Sequence, residues 1–225
     1  MFTPRFFKFF TELANNNNRD WFNAHKSEYR EAVVEPMCAF IDEIAPRLKK
    51  ISPHFVADSR PHGGSMFRIY RDVRFAKDKR PYKLHAACQF RHKLGKGAHT
   101  VGFYVHVSAE EAVFGGGIWM PPAEELRKIR STIADNPHAW RKIKTSKIIQ
   151  KYFGGIGGDG LKRPPRGFDA EHEHIEDIKR KSFFLMRREE PGIILEPSFV
   201  REVEKTFKAA MPLMEYIGYA QNVEI

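Results

Sequence analysis

The sequence predicts an α+β fold in which an antiparallel sheet of about four or five strands packs against N- and C-terminal helices. Three observations predict it. Apolar residues recur at helical spacing over roughly the first fifty residues, alternate with polar residues between about residues 65 and 119, and return to helical spacing near the end of the chain. Strands joined by short connections pair antiparallel, and such a sheet commonly packs one face on helices. With 225 residues and 42% hydrophobic composition, the chain is expected to form a single globular domain over residues 1–225.

The first part of the chain is predicted to be helical. Thr3 and Pro4 form an N-cap and first-turn pair, after which phenylalanines follow at helical spacing. The asparagines at 15–18 interrupt this helix, and one of them is expected to cap a second helix. A longer helical pattern continues to about Lys50, in which Pro36 either kinks the helix or lies in the first turn of a new one.

Four runs of alternating apolar and polar residues follow, and a further strand is predicted near residues 182–186. The runs cover residues 67–72, 83–91, 100–108 and 112–119. If the second and third runs pair in register, His85 and His106 could meet on the mixed face of the sheet. Prolines at 121, 122 and 137 open further helices, and a final amphipathic helix is predicted from about Phe199 to Ile217.

The composition indicates a soluble, cytoplasmic protein. No uncharged stretch approaches the roughly 18 apolar residues of a membrane-spanning helix, and Arg5 and Lys8 interrupt the apolar start before a signal-peptide core could form. Cys38 and Cys88 lie in apolar, helix-like and strand-like settings, and two cysteines form neither a disulfide framework nor a zinc-ligand pattern. Both are therefore expected to be reduced thiols in the core.

The net charge of +10 is concentrated in one region. Between Arg60 and Thr100 there are eleven Lys/Arg residues and two Asp residues, so this region carries +9 and the remainder of the chain +1. A clustered excess of positive charge favours an anionic partner such as nucleic acid, a nucleotide, a phosphorylated metabolite or an anionic membrane surface. No basic amphipathic segment favours the membrane over the other three.

The strongest candidate site is the segment FRIYRDVRFAKDKRPYK at residues 67–83. Its two aspartates can neutralise only two of its seven Lys/Arg residues, so about five positive charges must face water, acids from elsewhere in the chain or a ligand. Arginine offers a planar fork for bidentate contacts with phosphate or carboxylate, and lysine supplies a point charge. The predicted anion site, at one end of the sheet, comprises Arg68, Arg71, Arg74, Lys77, Lys79 and Lys83.

Other residues are expected to support this site. Arg163 and Arg166 of the KRPPRG loop are expected to close over it, and the glycines at 115–117 would let a ligand or another backbone approach closely. Asp72 is expected to orient an arginine. The remaining supporting residues are Tyr70, Asp78, Tyr82, Gly115, Gly116, Gly117 and Trp119.

Two other functions stay open at this point. An enzyme acting on a phosphorylated or carboxylated small molecule would use Asp72, His85 or His106 to transfer protons, because imidazole titrates near neutrality. Hydrogen-bonded histidines on a half-solvated sheet face are the simpler interpretation of that pair. In the second alternative the basic segment is an internal salt-bridge network, its cations are paired with acids of the helices, and the protein acts through protein contacts.

No cofactor or metal is predicted. Gly155, Gly157 and Gly160 spell GxGxxG, but the pattern follows a helical stretch and precedes two prolines, whereas a dinucleotide fingerprint lies between a strand and a helix start. His172 and His174 lie among glutamates, but residues two apart point to different faces of a helix, and the zinc-protease pattern has histidines four apart.

Four blocks of this sequence resemble the domain-of-unknown-function 2461 family of conserved hypothetical proteins: NNNNRDWF (15–22), FRIYRDVRFAKDKRPYK (67–83), FGGGIWMP (114–121) and KRPPRGFDAEH (162–172). The blocks occur in the family's order, and the sequence departs from the usual pattern at Ala76, Arg80 and Glu173. The resemblance implies a single-domain cytoplasmic protein, and it implies no activity, cofactor or catalytic residue. It does indicate that the basic segment, the glycines of the third block and the arginines of the fourth form one unit.

Overall fold

The computed structural model describes residues 2–95 and 99–225. The chain is helical up to Ile51, and its successive elements there are α1 (Pro4–Asn15), α2 (Arg19–Ala24), α3 (Lys26–Tyr29), a π-helical turn (Arg30–Val34) and α4 (Glu35–Ile51). Pro4 opens α1, and the side chain of Asn18 caps α2 by accepting a hydrogen bond from the backbone N–H of Trp21 at 2.9 Å. Thr3 lies at the N-cap position of α1 but its side chain makes no capping hydrogen bond, so Pro4 marks the start of α1 and the cap by Asn18 marks that of α2.

Pro36 accounts for the π-helical turn. It lies in the first turn of α4, it has no backbone N–H to donate, and in a regular helix its ring would collide with the carbonyl four residues earlier. The preceding turn is wider than an α-helical one, because the N–H of Glu35 donates to the carbonyl of Arg30. The helix therefore continues past the proline, and the adjustment is confined to Arg30–Val34.

The sheet has four antiparallel strands in the order of the chain, and they are β1 (His85–Arg91), β2 (Gly102–Ser108), β3 (Ala112–Ile118) and β4 (Phe183–Glu189). The predicted α+β class and the predicted strand near residue 182 are confirmed. In the register, Cys88 pairs with Val105, and Val105 pairs with Phe114. These side chains are fully buried on one face, so the alternation read from the sequence places that face against the helices.

The run at residues 67–72, predicted to be a strand, is not a strand of the sheet. It forms isolated bridges only, Met66 with Cys88 and Tyr70 with Tyr82. After Phe67 the run leaves β1 and pairs with residues 81–83, since the N–H of Arg71 donates to the carbonyl of Pro81 at 2.8 Å. The carboxylate of Asp72 then accepts a hydrogen bond from the backbone N–H of Arg74 at 3.2 Å, a turn that ends the extended stretch.

The C-terminal half supplies the helices that cover the sheet, and its elements are α5 (Ala123–Asp135), α6 (Pro137–Lys144), α7 (Lys147–Phe153), α8 (Ile175–Ile178), a 3₁₀ turn (Pro191–Leu195) and α9 (Phe199–Gln221). Helix α9 lies against β3 and also contacts α4 and α5. Phe207 of α9 stacks on Phe103 of β2 with ring centroids 4.4 Å apart. The core therefore lies between the sheet and these helices, and the other face of the sheet points outward.

None of the helices in residues 2–95 and 99–225 combines the length and apolar character that a membrane span requires.

Candidate functional site

Residues 67–83 form an irregular hairpin, called here the basic hairpin, along the free edge of β1. The N–H of Phe67 donates to the carbonyl of Ala87 at 2.9 Å, which attaches the first arm to β1. The two arms pair through the N–H of Lys83 and the carbonyl of Ile69, 2.8 Å apart. At the tip, the ring of Phe75 is 96% exposed. The hairpin is thus anchored at its base and projects into solvent.

Asn17 holds the second arm in place. Its side-chain amide donates to the carbonyl of Tyr82 at 3.0 Å and accepts from the N–H of Tyr82 at 3.1 Å. The ring of Tyr82 is buried and stacks on Phe22 of α2, with centroids 4.1 Å apart. Because one side chain satisfies both backbone groups of Tyr82, the asparagine run joins the N-terminal helices to the basic hairpin as well as capping α2.

The two aspartates of the hairpin bind three of its arginines. Asp72 accepts hydrogen bonds from the guanidinium of Arg74, and Asp78 accepts from those of Arg80 and Arg71. The side-chain hydrogen bond from Arg74 lowers the pKa of Asp72 to about 2, and hydrogen bonds from Arg80 likewise lower the pKa of Asp78. Both carboxylates are therefore ionised at neutral pH. Asp72 orients Arg74, and with so low a pKa it would be a weak general base.

The acids that pair with these arginines belong to the hairpin itself and not to the helices. Arg74 lies 2.7 Å from Asp72, and Arg71 and Arg80 lie 2.9 and 2.8 Å from Asp78. Arg71 also donates to the carbonyl of Arg80 at 2.9 Å, so it holds the two arms together. The hairpin is therefore a locally closed network that keeps most of its positive charge.

Four cations of the hairpin have no carboxylate within ion-pair distance in the part of the chain that the structure describes: Arg68, Lys77, Lys79 and Lys83. Lys79 donates to the carbonyl of Val73 at 3.0 Å, and Lys83 donates to that of Arg68 at 3.0 Å. Burial, and then the charge of Arg68, lower the pKa of Lys83. Lys83 and Arg68 are thus neighbouring positive charges without a counter-ion among the described residues.

Arg68 lines a cleft of about 560 Å³ between the hairpin and the N-terminal helices. We call it the basic cleft, and its relevant lining residues are Phe22, Lys26, Tyr29, Arg30, Arg68 and Tyr70. Arg30 pairs with Glu35 at 3.2 Å, whereas Lys26 has no carboxylate within ion-pair distance among the described residues. Aromatic rings form much of the walls, so the cleft combines positive charge with apolar surface.

Two residues of the cleft, Lys26 and Arg30, were absent from the predicted site. They lie four residues apart on the helical stretch α3 and the π-helical turn. Two cations at this spacing share one helix face and repel each other, which is a signal that the sequence did contain. The helix was interpreted only through its apolar residues, so that signal was missed.

His85 and His106 meet on the outward face of the sheet. Ala87 pairs with His106 and His85 with Ser108, so the two imidazoles are diagonal neighbours, with centroids 4.1 Å apart. Burial, then the charges of His106 and Lys83, lower the pKa of His85 to about 4, and burial lowers that of His106. Both rings are neutral at neutral pH, and Lys83 connects this pair electrostatically to the basic hairpin.

The glycines at 115–117 are required by the packing of neighbouring backbone. A Cβ on Gly116 would lie 2.8 Å from the ring of Phe103 and 3.0 Å from the sulfur of Met214 on α9. A Cβ on Gly115 would collide with the carbonyl of Leu185, and Gly117 has a φ of 150°. The close approach expected here is therefore made by β4 and α9. Trp119 follows at the end of β3 and is 55% exposed.

Arg163 and Arg166 lie beyond the opposite edge of the sheet from the hairpin. The loop before them pairs with β4, because the N–H of Gly157 donates to the carbonyl of Phe184 at 2.8 Å, whereas the hairpin lies along β1. Both arginines are exposed. The structure does not bring these two arginines together with the basic hairpin.

The comparison with protein families gives one match, which covers residues 5–216 and carries the description conserved hypothetical protein (DUF2461). The chain belongs to this family. A search of curated proteins finds no match. In this member of DUF2461, Asn17 of the block at residues 15–22 hydrogen-bonds to Tyr82 of the block at residues 67–83. This contact explains why the asparagine run and the basic segment occur in the same protein.

Proposed function

We propose that this protein binds a small organic anion, of nucleotide size, in the basic cleft. The observation that carries the proposal is the uncompensated charge of Arg68 and Lys26, which both line the cleft and have no carboxylate within ion-pair distance in the described part of the chain. Lys83 is not a lining residue, but it donates to the backbone of Arg68 and adds a third unpaired cation beside the cleft. Like charges held together raise the free energy of the folded protein. A bound anion would remove that repulsion.

The walls of the cleft favour a ligand with an aromatic or apolar body. Phe22, Tyr29 and Tyr70 line it, and Tyr70 is 50% exposed, so its ring is available for stacking. Stacking of a base on an aromatic side chain contributes about 1–3 kcal/mol. A cleft of about 560 Å³ lies within the range of ordinary ligand sites. The combination suits a phosphate or carboxylate group attached to a ring, as in a nucleotide or the exposed end of a single-stranded nucleic acid.

A second candidate function, an enzyme acting on a phosphorylated or carboxylated small molecule, is favoured by the position of Lys83. This lysine lies between Arg68 and the histidine pair, since it hydrogen-bonds to the former and lowers the pKa of His85. An anion held at Lys83 would therefore lie close to a neutral imidazole, which is able to accept a proton.

The proposal is tested by fluorescence anisotropy with mant-ADP, labelled single-stranded RNA, single-stranded DNA and duplex DNA, at about 20 and 150 mM salt. We expect binding of mant-ADP that weakens at least tenfold in Arg68→Ala and in Lys26→Ala. Lys142→Ala is the matched control, because Lys142 is an exposed lysine on α6, outside the cleft. Circular dichroism of each variant establishes that the fold is native.

Three outcomes would overturn the proposal. One is the absence of mant-ADP binding at low salt. Another is an affinity that Arg68→Ala and Lys142→Ala reduce equally, which would indicate a diffuse charge effect. The third is binding of long nucleic acids alone, with a steep salt dependence, which would make the exposed hairpin a backbone-binding surface instead of a small-ligand site. Turnover of a phosphorylated substrate that is lost in His106→Gln would establish the enzyme alternative.

A further inference from the structure

A hollow on the outward face of the sheet differs in chemistry from the basic cleft. Two of its lining residues are glycines that pair with each other, Gly102 of β2 and Gly117 of β3. Outward-facing positions of a sheet normally carry side chains. Because these two positions carry none, the surrounding side chains stand higher than the paired backbone between them.

These side chains enclose a space of about 380 Å³, called here the outer trough. Tyr104 and His106 of β2 form one wall, and Phe184 and Met186 of β4 form the other. Trp119 closes one end, with its ring 5.6 Å from that of Phe184. The trough is therefore bounded by aromatic and thioether groups on a floor of peptide planes.

The floor presents few free hydrogen-bonding groups, because the strands beneath it are paired on both sides in the antiparallel ladder. Such a floor suits a flat ring lying against it. The polar groups stand at the rim: the hydroxyl of Tyr104 lies 3.4 Å from Nδ1 of His106. When Tyr104 donates to Nδ1, the Nε2 atom carries the proton and is a donor.

The charge at this rim is balanced, unlike that of the basic cleft. Arg188 at the mouth is paired with Glu111, and His106 is neutral at neutral pH. An anion would therefore gain little here. A planar ring with an acceptor atom would contact the aromatic walls and accept from His106 or Tyr104.

We propose that the outer trough is a second binding site, for a planar aromatic or heteroaromatic small molecule without a net charge. A second copy of the chain is a poorer occupant. Two sheets pack by interdigitating side chains about 10 Å apart, and a central hollow would leave a void in that interface. The half-exposed ring of Trp119 is a contact surface that a ring-shaped ligand would cover.

The test is ligand-observed NMR with adenine, quinoline and indole, with cyclohexanol as the non-planar control. We expect at least one planar compound to bind in these spectra. In spectra of the protein, the same compound should shift the indole N–H signal of Trp119. Met186→Trp and Val113→Phe each fill the trough, and we expect at least tenfold weaker binding in both. Leu195→Trp, which adds the same ring at an exposed position on the 3₁₀ turn, should leave binding unchanged.

Failure of all three planar compounds to bind, or binding that both filling variants leave intact, would overturn the proposal. So would a wild-type dimer in light scattering that Met186→Trp converts to a monomer, since this would make the face a protein interface. If a filling variant does not fold, the Trp119 shift in the wild-type protein still decides whether the ligand lies in the trough. Because Arg68→Ala leaves the trough intact, loss of mant-ADP binding and loss of quinoline binding are separable.

Discussion

Two clusters of charge in this fold differ in how far their cations are neutralised. In the Asp177 cluster, a carboxylate that is 1% exposed accepts hydrogen bonds from the indole of Trp140 at 2.9 Å, from Lys144 at 2.9 Å and from Arg180 at 3.0 Å. In the basic hairpin, two exposed aspartates hold three arginines, and four further cations have no carboxylate within reach among the described residues.

The difference follows from burial. A carboxylate inside the protein must be compensated, because an unpaired buried charge costs several kcal/mol. Cations at the surface are solvated by water and can remain without a carboxylate partner. The unpaired cations of the basic hairpin are therefore able to bind an anionic ligand. We therefore expect the Asp177 cluster to contribute to stability and the basic hairpin to contribute to the proposed anion binding, and mutation tests each expectation.

The largest effect is expected at the Asp177 cluster. Asp177→Ala leaves the buried indole N–H of Trp140 and the cations Lys144 and Arg180 without their acceptor. We therefore expect the free energy of unfolding to fall by about 3 kcal/mol in urea denaturation. Anion binding by the folded fraction should be unchanged. The matched change in the hairpin, Asp72→Ala, should leave the unfolding free energy nearly unaltered because Asp72 is exposed. Equal losses in the two variants would contradict the comparison.

A smaller effect is expected where the hairpin is attached. Asn17→Ala removes two hydrogen bonds to the backbone of Tyr82, each contributing about 1 kcal/mol, so the free energy of unfolding should fall by about 1–2 kcal/mol. The anion affinity should fall as well, since the hairpin supplies Arg68. Asn16→Ala, on the same loop, is the control and should affect neither. An Asn17→Ala variant with reduced stability but unchanged affinity would show that hairpin position does not matter for binding.

The histidine pair predicts a third, pH-dependent effect on stability. His85 has a pKa of about 4 in the folded protein and about 6.5 when unfolded, so between these values the unfolded chain binds more protons. The free energy of unfolding is therefore highest above pH 6.5 and falls as the pH is lowered towards 4. The full difference corresponds to about 3 kcal/mol, and because the ring is only partly buried we expect roughly half of it.

This pH dependence is measured by urea denaturation between pH 4 and 7. His85→Gln should reduce the slope, because glutamine does not titrate, and the remaining slope should include the contribution of His106, whose pKa burial also lowers. His62→Gln is the control: His62 is an exposed histidine in the loop before the hairpin, and its removal should leave the curve as in the wild type. A slope in His85→Gln equal to that of the wild type would assign the effect to other groups and would contradict a neutral His85 in the folded protein.

The parts of this fold that depend on periodic patterns were predictable, whereas the parts that depend on pairing of distant side chains were not. Apolar alternation located β1 to β4 to within a few residues, and Pro36 marked the adjusted helix. The run at 67–72 was wrong as a strand of the sheet, because after Phe67 it leaves β1 and pairs with the second arm of the hairpin, residues far from it in a one-dimensional pattern. It ends in an Asp-x-Arg turn, which recurs at Asp58, Asp72 and Asp78. The glycines of β3 were expected to admit a ligand or another backbone, and the sequence could not show that the close contacts come from the β4 backbone and from α9, segments far away in the sequence.

In the candidate site, too, the features visible in a local stretch of sequence were predictable, and those made by distant residues were not. Charge counting located the basic hairpin, since a local excess of cations is visible in any window of the sequence. It also indicated that Asp72 and Asp78 neutralise cations of their own segment, but it did not reveal that they pair with three arginines, or that Lys26 and Arg30 line a cleft together with Arg68. Those facts depend on the tertiary fold, because the N-terminal helices and the hairpin are joined by contacts between residues far apart in the sequence, such as Asn17 with Tyr82 and Phe22 with Tyr70 and Tyr82.

The smallest expected effect, and the most specific one, concerns Lys83. Its pKa is lowered by burial and by Arg68, so it loses its charge at a lower pH than an exposed lysine. Affinity for mant-ADP in the wild-type protein should therefore fall several-fold as the pH is raised from about 7.5 towards 10, once lysine begins to deprotonate.

Lys83→Arg should abolish most of this loss, because arginine stays protonated over the whole range. Lys77→Arg, at the exposed tip, should behave like the wild type. If Lys83→Arg loses affinity with pH as the wild type does, Lys83, which lies beside Arg68 and not in the cleft lining, does not contribute to binding, and the affinity depends on the lining cations Lys26, Arg30 and Arg68.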